Sequence, residues 1–237
     1  MKIYTIKFYF RGINSKLPTT YMDNLVSFFH TEILGKNNKY HEKGQPKLYS
    51  ISEFFGSKRD EKKNVFEFNK GAIWLIRTPS PDVFKDFYLK GKNSISKEFM
   101  NGMFLENVEF YTTEFDNISK MSTGSTPIYI GQNKDSKDRD HVTFKHGNDV
   151  VSKYLKQTFI TKTTALGYNF SKDDFEIEFD LKKPTKTTPR RFRKGTLITT
   201  VGTVNIAGSA EIISLFYGLG IGLSTGCGFG FIFNVKQ

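Results

Sequence analysis

Apolar and polar side chains alternate from the start of the chain. Ile6, Phe8 and Phe10 fall on one side of residues 2–11, and Thr5, Lys7 and Tyr9 on the other. A period of two is that of a half-buried strand. The period then lengthens: across residues 21–34, Met22, Leu25, Val26, Phe29 and Ile33 recur at helical spacing, with Gly35 behind them as a C-cap. Residues 36–46 are polar and contain Asn, Gly and Pro, which predicts a loop, and extended patterns resume at 48–55 and 65–77. Pro79-Ser80-Pro81 opens a second helix over 82–90, with Phe84, Phe87 and Tyr88 on one side. Residues 103–115 alternate again. The order β-α-β-β-α-β is that of a ferredoxin-like unit, also the architecture of common RNA-recognition modules.

Residues 117–125, NISKMSTGS, read as a polar linker. Beyond it the element order approximately repeats, without a sequence repeat. A short strand is expected at 126–130, a charged loop at 132–140 and an extended stretch at 141–146. A helix over 148–164 carries Val150, Val151, Tyr154, Leu155 and Phe159, with Asn148 or Asp149 as N-cap. Phe175, Ile177, Phe179 and Leu181 alternate with acids in a strand. Residues 182–194 read as irregular, 196–206 as extended, 209–217 as a short helix and 229–235 as a last strand. The expectation is an α+β fold of two tandem ferredoxin-like domains, 1–116 and 126–237, joined by 117–125.

Charge narrows the class of partner. The net charge is +11 and the pI near 9.5, which favours a polyanion. Residues 182–194 hold seven Lys or Arg and no acid, so most of the excess sits in one segment. Cys227 is the sole cysteine, which excludes an internal disulfide, and no Cys or His spacing suits a metal. No run approaches the ~18 apolar residues of a membrane span. A soluble, cytoplasmic protein with a nucleic-acid partner and no membrane partner is expected. The C-terminal run from Gly218 to Gly230 places six glycines in thirteen positions, after a helix and before a strand. A dinucleotide fingerprint would follow a strand and open a helix, and a P-loop would need Gly-Lys-Ser/Thr, so neither cofactor site fits and no cofactor is expected. Two readings remain for the run: backbone N–H groups open to an anionic backbone, or a hairpin shaped for tight packing.

Gly220-Ile221-Gly222, five residues, then Gly228-Phe229-Gly230, preceded by Leu215-Phe216-Tyr217, resembles the glycine-rich signature of the CRISPR-associated endoribonucleases that cut repeat RNA, the sixth Cas protein family of the RAMP superfamily. The resemblance extends to Leu17-Pro18 before the first helix, to His41-Glu42-Lys43-Gly44-Gln45-Pro46-Lys47-Leu48-Tyr49-Ser50, which looks like the family's catalytic loop, and to Pro189-Arg190-Arg191-Phe192-Arg193-Lys194-Gly195, which looks like its basic segment. It implies two tandem ferredoxin-like domains and metal-independent cleavage of CRISPR precursor RNA within repeats. In that chemistry the 2′-hydroxyl attacks the adjacent phosphodiester, leaving a 2′,3′-cyclic phosphate and a 5′-hydroxyl.

Such a cut needs a base, an acid and a cation at the phosphate. Histidine suits the proton transfers, with an unperturbed pKa of ~6.5. His41 occupies the position of the family's catalytic histidine, and Lys47 matches a lysine that accompanies it in some members. A third group is less defined: His30, Ser27 and Tyr40 are candidates, with Tyr21 behind them. His141 and His146 have no counterpart. For the RNA backbone the candidates are Arg190, Arg191, Arg193 and Lys194, the glycines Gly220, Gly222, Gly226, Gly228 and Gly230, and Lys153, Lys156 and Lys162 on the third helix. Phe192 suits either base stacking or a core anchor. The expected partner is CRISPR repeat RNA, with a CRISPR effector complex and a homodimer left open. The alternative is a catalytically inactive repeat-RNA-binding subunit of a CRISPR ribonucleoprotein; a ferredoxin-like RNA-binding protein outside CRISPR ranks third.

Overall fold

The computed structural model describes residues 1–12, 14–36, 38–42, 44–60, 62–132, 140–192 and 195–236. In chain order the elements are β1 (Lys2–Arg11), β2 (Ser15–Pro18), α1 (Tyr21–Phe28), β3 (Ser50–Ile51), β4 (Lys58–Asp60), β5 (Val65–Phe68), β6 (Ala72–Thr78), α2 (Pro81–Lys92), β7 (Glu98–Met100) and β8 (Met103–Glu114). They continue as β9 (Lys120–Ser125), α3 (Asn148–Thr164), β10 (Phe175–Phe179), β11 (Lys186–Phe192), β12 (Gly195–Val201), β13 (Thr203–Gly208), α4 (Ala210–Leu219) and β14 (Ile232–Lys236).

β1 is the spine of the first sheet because its alternating Ile6, Phe8 and Phe10 find partners on both sides: Phe8 lies opposite Trp74 of β6 and Val108 of β8, both pairs antiparallel. The sheet order is β3-β6-β1-β8-β7. Apart from the short β7, that is the second, third, first and fourth strands of a βαββαβ unit. The second sheet, β10-β13-β9-β14, repeats the order with α3 and α4 as its crossovers. Two tandem ferredoxin-like units are present, as the element order predicts.

The first unit buries Ile6, Phe8, Phe29, Trp74 and Phe87, and the second buries Val151, Leu155, Phe159, Ile177 and Phe216. Phe159 stacks on Phe216 at 3.8 Å. The join between units is itself packed. Ile3 and Phe115 enter the second core, and Phe115 meets Tyr217 edge-on at 5.0 Å. Arg77 of β6 lies buried between Tyr217 (3.8 Å) and Phe231 (4.3 Å), and donates to the Ile232 carbonyl at 2.6 Å. Burial pulls its pKa below the usual arginine value, yet a guanidinium so placed stays charged.

Several elements depart from the sequence reading. The segment read as a linker contains β9, the first strand of the second sheet, so the second unit starts by Lys120. Residues 126–130 make only isolated bridges, Ile128 with Thr200 and Tyr129 with Leu223. The stretch 65–77 is two strands in different sheets, parted at Gly71, where φ is +94° and a Cβ would meet the Phe10 carbonyl oxygen at 2.2 Å. Within 48–55 only Ser50–Ile51 and a bridge at Phe55 are extended. Residues 144–146 form a 3-10 turn in place of a strand, and 196–206 splits at Gly202. Of the basic segment 182–194, read as irregular, Lys186–Phe192 forms β11 and pairs with β12 as a hairpin, while 182–185 lies outside any strand. A third small sheet, β2-β5-β4, has no counterpart in the expectation. Most of the charged loop expected at 132–140 lies outside the described residues; its ends, Gln132 and His141, are bridged. No helix among the described residues is long and apolar enough to cross a membrane.

Candidate nucleic-acid interface

α4 ends at Leu219, and Gly220, at φ +71°, turns the chain back. Gly222, Gly228 and Gly230 also take positive φ, at +79°, +87° and +61°, a region open to glycine at little cost. A Cβ on Gly230 would lie 1.8 Å from the Ile221 carbonyl oxygen, and one on Gly222 would lie 2.5 Å from that of Tyr129. The loop closes on its own backbone. Ile221 N–H donates to Gly230 O (2.8 Å), Leu223 N–H to Tyr129 O (2.8 Å), Gly220 N–H to Phe216 O (2.9 Å) and Gly230 N–H to Pro127 O (3.1 Å). Those donors are spent within the fold, so at Gly220 and Gly230 the need for glycine is steric.

The other side of the loop presses on the first unit. A Cβ on Gly226 would come within 3.0 Å of the Tyr49 ring and 3.2 Å of Lys47 Cγ, and one on Gly228 within 2.3 Å of Met22 Cε. Thr225 Oγ1 donates to the Tyr49 carbonyl (3.2 Å), and Ser50 Oγ to that of Gly218 (3.0 Å). Beneath the loop lies Lys162, almost fully buried, whose Nζ donates to Leu219 O (3.3 Å), Gly222 O (2.9 Å) and Thr225 Oγ1 (3.1 Å). The sequence groups it with Lys153 and Lys156 as a candidate for the RNA backbone, a role its burial rules out. Its position after Val151, Leu155 and Phe159 on the buried stripe of α3 was the available signal.

The loop expected at 36–46 holds a 3-10 turn over Lys39–His41. Of His41 the structure describes the backbone, which ends that turn. Lys47 Nζ donates to the carbonyls of Tyr40 (2.5 Å) and Glu42 (3.1 Å), which flank His41. Burial sets the Lys47 pKa below the usual lysine value, against smaller upward effects of Cys227 and Glu42. Tyr40 is packed elsewhere: its ring meets Phe87 at 4.8 Å, and burial, then the carboxylates of Asp86 and Asp82, raise its pKa. Tyr21 is a core residue that accepts from Phe54 N–H (2.9 Å).

His30 sits inside because α1 widens at its end into a π turn over Phe29–Ile33, which shifts the face a side chain occupies. Its Nε2 is 3.3 Å from the Tyr49 hydroxyl and its Nδ1 3.4 Å from Asn38 Oδ1. His30 and the exposed Ser27 share a cavity of about 380 Å³ with Cys227 of the glycine loop and Phe192 of the hairpin. His141 packs against Tyr129 at 5.8 Å, and His146 closes a capping box with Thr143.

A larger cleft of about 460 Å³ lies between α1 and the β11–β12 hairpin. Arg190, Arg191 and Lys186 line it from the hairpin, Arg59 from β4, and Phe192 and Phe229 form an edge-to-face pair at 5.5 Å. Arg191 is exposed. Arg190 is already paired, at 2.5 Å, with Glu53. Arg59 and Glu53 are not among the candidates read from the sequence: Arg59 lies on β4, in the small sheet that has no counterpart in the expectation, and Glu53 lies in the stretch 48–55, expected only to be extended. Arg193 and Lys194 lie outside the described residues. Across the glycine loop, a cavity of about 650 Å³ is lined by Lys47, Lys153, Lys162 and Lys172, with no carboxylate among its described residues. Lys156 is engaged outside that cavity, bonded to Lys172 O (2.8 Å) and Glu176 (3.0 Å). Among the described residues no three His, Cys, Asp or Glu side chains gather as metal ligands would.

Known proteins share this architecture. A solved CRISPR-associated protein Cas6 superposes with a TM-score of 0.76 at 17% identity, covering 99% of this chain and 100% of its own. A RAMP protein described as binding different RNA substrates gives 0.78 at 16%, covering all of both chains. The product of a Cas6-related gene from Pyrococcus furiosus gives 0.78 at 17%, covering 99% of each. No curated protein sequence matches significantly. The family model for the C-terminal part of the CRISPR-associated protein Cas6 matches residues 106–233, more than half of the chain and the whole of the glycine-rich loop. The chain therefore belongs to the Cas6 family of CRISPR-associated proteins.

Proposed function

We propose that the protein is an endoribonuclease that cuts CRISPR precursor RNA within its repeats without a metal ion. The observation that carries this reading is the junction of three sequence signatures: Lys47 anchors the turn ending at His41, Gly226 packs on Lys47, and the basic hairpin opens beside the same loop. Structures of Cas6 product complexes, at TM-scores of 0.65 and 0.63 and 11% and 14% identity, support the same substrate class.

His41 acts as general base or acid. The 2′-hydroxyl oxygen attacks phosphorus as its proton leaves, the bond to the 5′ oxygen breaks, and that oxygen takes up a proton. The products are a 2′,3′-cyclic phosphate and a 5′-hydroxyl. Lys47 holds the turn through two carbonyls and directs its remaining donor capacity to the charge that gathers on the phosphate. Arg190, Arg191, Arg193, Lys194, Lys153 and the glycine-rich loop grip the RNA backbone. Repeat RNA labelled at its 5′ end, incubated with the protein and excess chelator, should be cut once per repeat to a cyclic-phosphate end, and a 2′-deoxy residue at the scissile position should block the cut. Cleavage that stops with chelator refutes the mechanism. Binding without cleavage under all conditions refutes the enzyme and leaves an RNA-binding subunit.

A further inference from the structure

The ammonium of Lys162 is buried beneath the glycine-rich loop and faces three acceptors, Leu219 O, Gly222 O and Thr225 Oγ1. An ammonium has three protons to give and a neutral amine only two, so the geometry describes the charged form. The contacts lead on: Thr225 Oγ1 donates to the Tyr49 carbonyl, and two residues before Tyr49, Lys47 anchors the turn that ends at His41. We infer that Lys162 is a positioning residue for RNA cleavage, whose ammonium registers the glycine-rich loop against the catalytic loop and is held charged by RNA bound there; the inference rests on the RNA-cleavage reading above.

Burial alone brings the Lys162 pKa down to about 7. The charged and titratable groups around it are Lys47 from the catalytic loop, Lys153 and Tyr154 from α3 and Lys172, which line the same cavity, with Tyr49 and Cys227 beyond Thr225. No described carboxylate in that cavity offsets the four lysines. The free protein therefore loses the ammonium as pH rises through about 7. A phosphate backbone over the loop raises the affinity for that proton, and by linkage RNA binding takes the proton up.

The test uses the full chain and repeat RNA, with Lys162→Met, Thr225→Val as a milder variant, and melting curves to confirm folding. At about pH 6, Lys162→Met should lower the single-turnover rate at saturating RNA about tenfold or more and raise the Kd about tenfold, because a charge that bound RNA holds must in turn strengthen RNA binding. The gap in Kd should narrow towards about pH 8.5, as the free wild type loses its own ammonium, while the rate gap at saturating RNA persists to higher pH because bound RNA keeps the charge. Calorimetry in buffers of different ionisation enthalpy should show wild-type RNA binding taking up about half a proton more than Lys162→Met at pH 7, and no more at about pH 5.5. Thr225→Val should lose rate in the same direction. A Kd ratio constant across pH, a rate at saturating RNA unchanged in Lys162→Met, or equal proton uptake by wild type and Lys162→Met overturns the role of Lys162 while cleavage by the wild type stands. Failure of the wild type to bind repeat RNA overturns both readings.

Discussion

Gly230→Ala isolates what the glycine-rich loop is for. The residue sits at φ +61°, and an added Cβ would stand 1.8 Å from the Ile221 carbonyl oxygen and 2.8 Å from its carbon, both backbone atoms of a buried segment. Left-handed backbone alone disfavours alanine by about 1–2 kcal/mol. Relief of the clash requires the two strands of the loop to part by more than an ångström, which breaks Ile221 N–H to Gly230 O and strains Gly230 N–H to Pro127 O. Each buried polar group so stranded costs about 1–3 kcal/mol. Together these give a loss of about 4 kcal/mol, a large share of the ~5–15 kcal/mol that holds a typical domain. In a chain of this size that corresponds to a fall in Tm of about 10 °C. Gly167→Ala is the matched control: φ is +89°, but nothing lies within 4 Å of the added Cβ, so only the backbone term of about 1–2 kcal/mol remains. Melting curves followed by circular dichroism compare the two. If Gly230→Ala melts within about 3 °C of Gly167→Ala, the loop is not held by steric necessity and the reasoning fails.

The remaining predictions concern RNA. His41→Ala should slow single-turnover cleavage by about 10²–10⁴-fold with little change in Kd, measured with labelled repeat RNA; an equal loss of both would make His41 a binding contact. Lys47→Met should also lose rate before affinity, about 10²-fold, because the side chain anchors the turn at Tyr40 and Glu42. Arg191 is exposed in the cleft and Arg190 is paired with Glu53, so Arg191→Ala should reduce the slope of log K against log salt by about 0.7, as for one phosphate of a single strand, and Arg190→Ala by less. Equal slopes for the two variants would contradict the pairing.

What could be read from the sequence follows from where each element buries apolar surface. β1, β8, β10 and α1 present large side chains at one period and were legible. β9 was not: its inward positions are Met121, Thr123 and Ser125, so the period of two is present but two of its three buried residues are small and polar. That segment therefore looks like a linker. β11 belongs to neither core, and its sequence KTTPRRF holds Phe192 alone as a large apolar side chain, so no period of two shows, whereas its partner β12 carries Leu197, Ile198 and Val201 and reads as extended. The spacing of α1 leaves His30 between the helix surface and partial burial, because the π turn that carries it inward has no mark in hydrophobic periodicity. The arginines stand out by charge, since residues 182–194 hold seven Lys or Arg and no acid, whereas His41 and Lys47 are candidates through family resemblance alone: a histidine and a lysine in a polar loop have no distinguishing pattern.

The placement of charge explains why the glycine loop sits where it does. The basic hairpin borders one cleft, and the lysines of α3 border a separate cavity. The two meet at a seam made of backbone, where Cys227 and Gly228 line the first and Leu223 and Ser224 line the second, with Lys47 beside Gly226 between them. A side chain at Gly222 would strike the Tyr129 carbonyl, one at Gly226 would crowd the Tyr49 ring at 3.0 Å, and Gly228 takes a left-handed φ of +87°, so glycines let the two units come close enough for Thr225 to reach Tyr49 and for Lys162 to reach Thr225. Coulomb attraction between a polyanion and each basic surface falls off over the Debye length of ~8 Å at physiological salt. An RNA that gains from both surfaces must therefore cross the seam, and the turn ending at His41, anchored through Lys47, stands at that crossing.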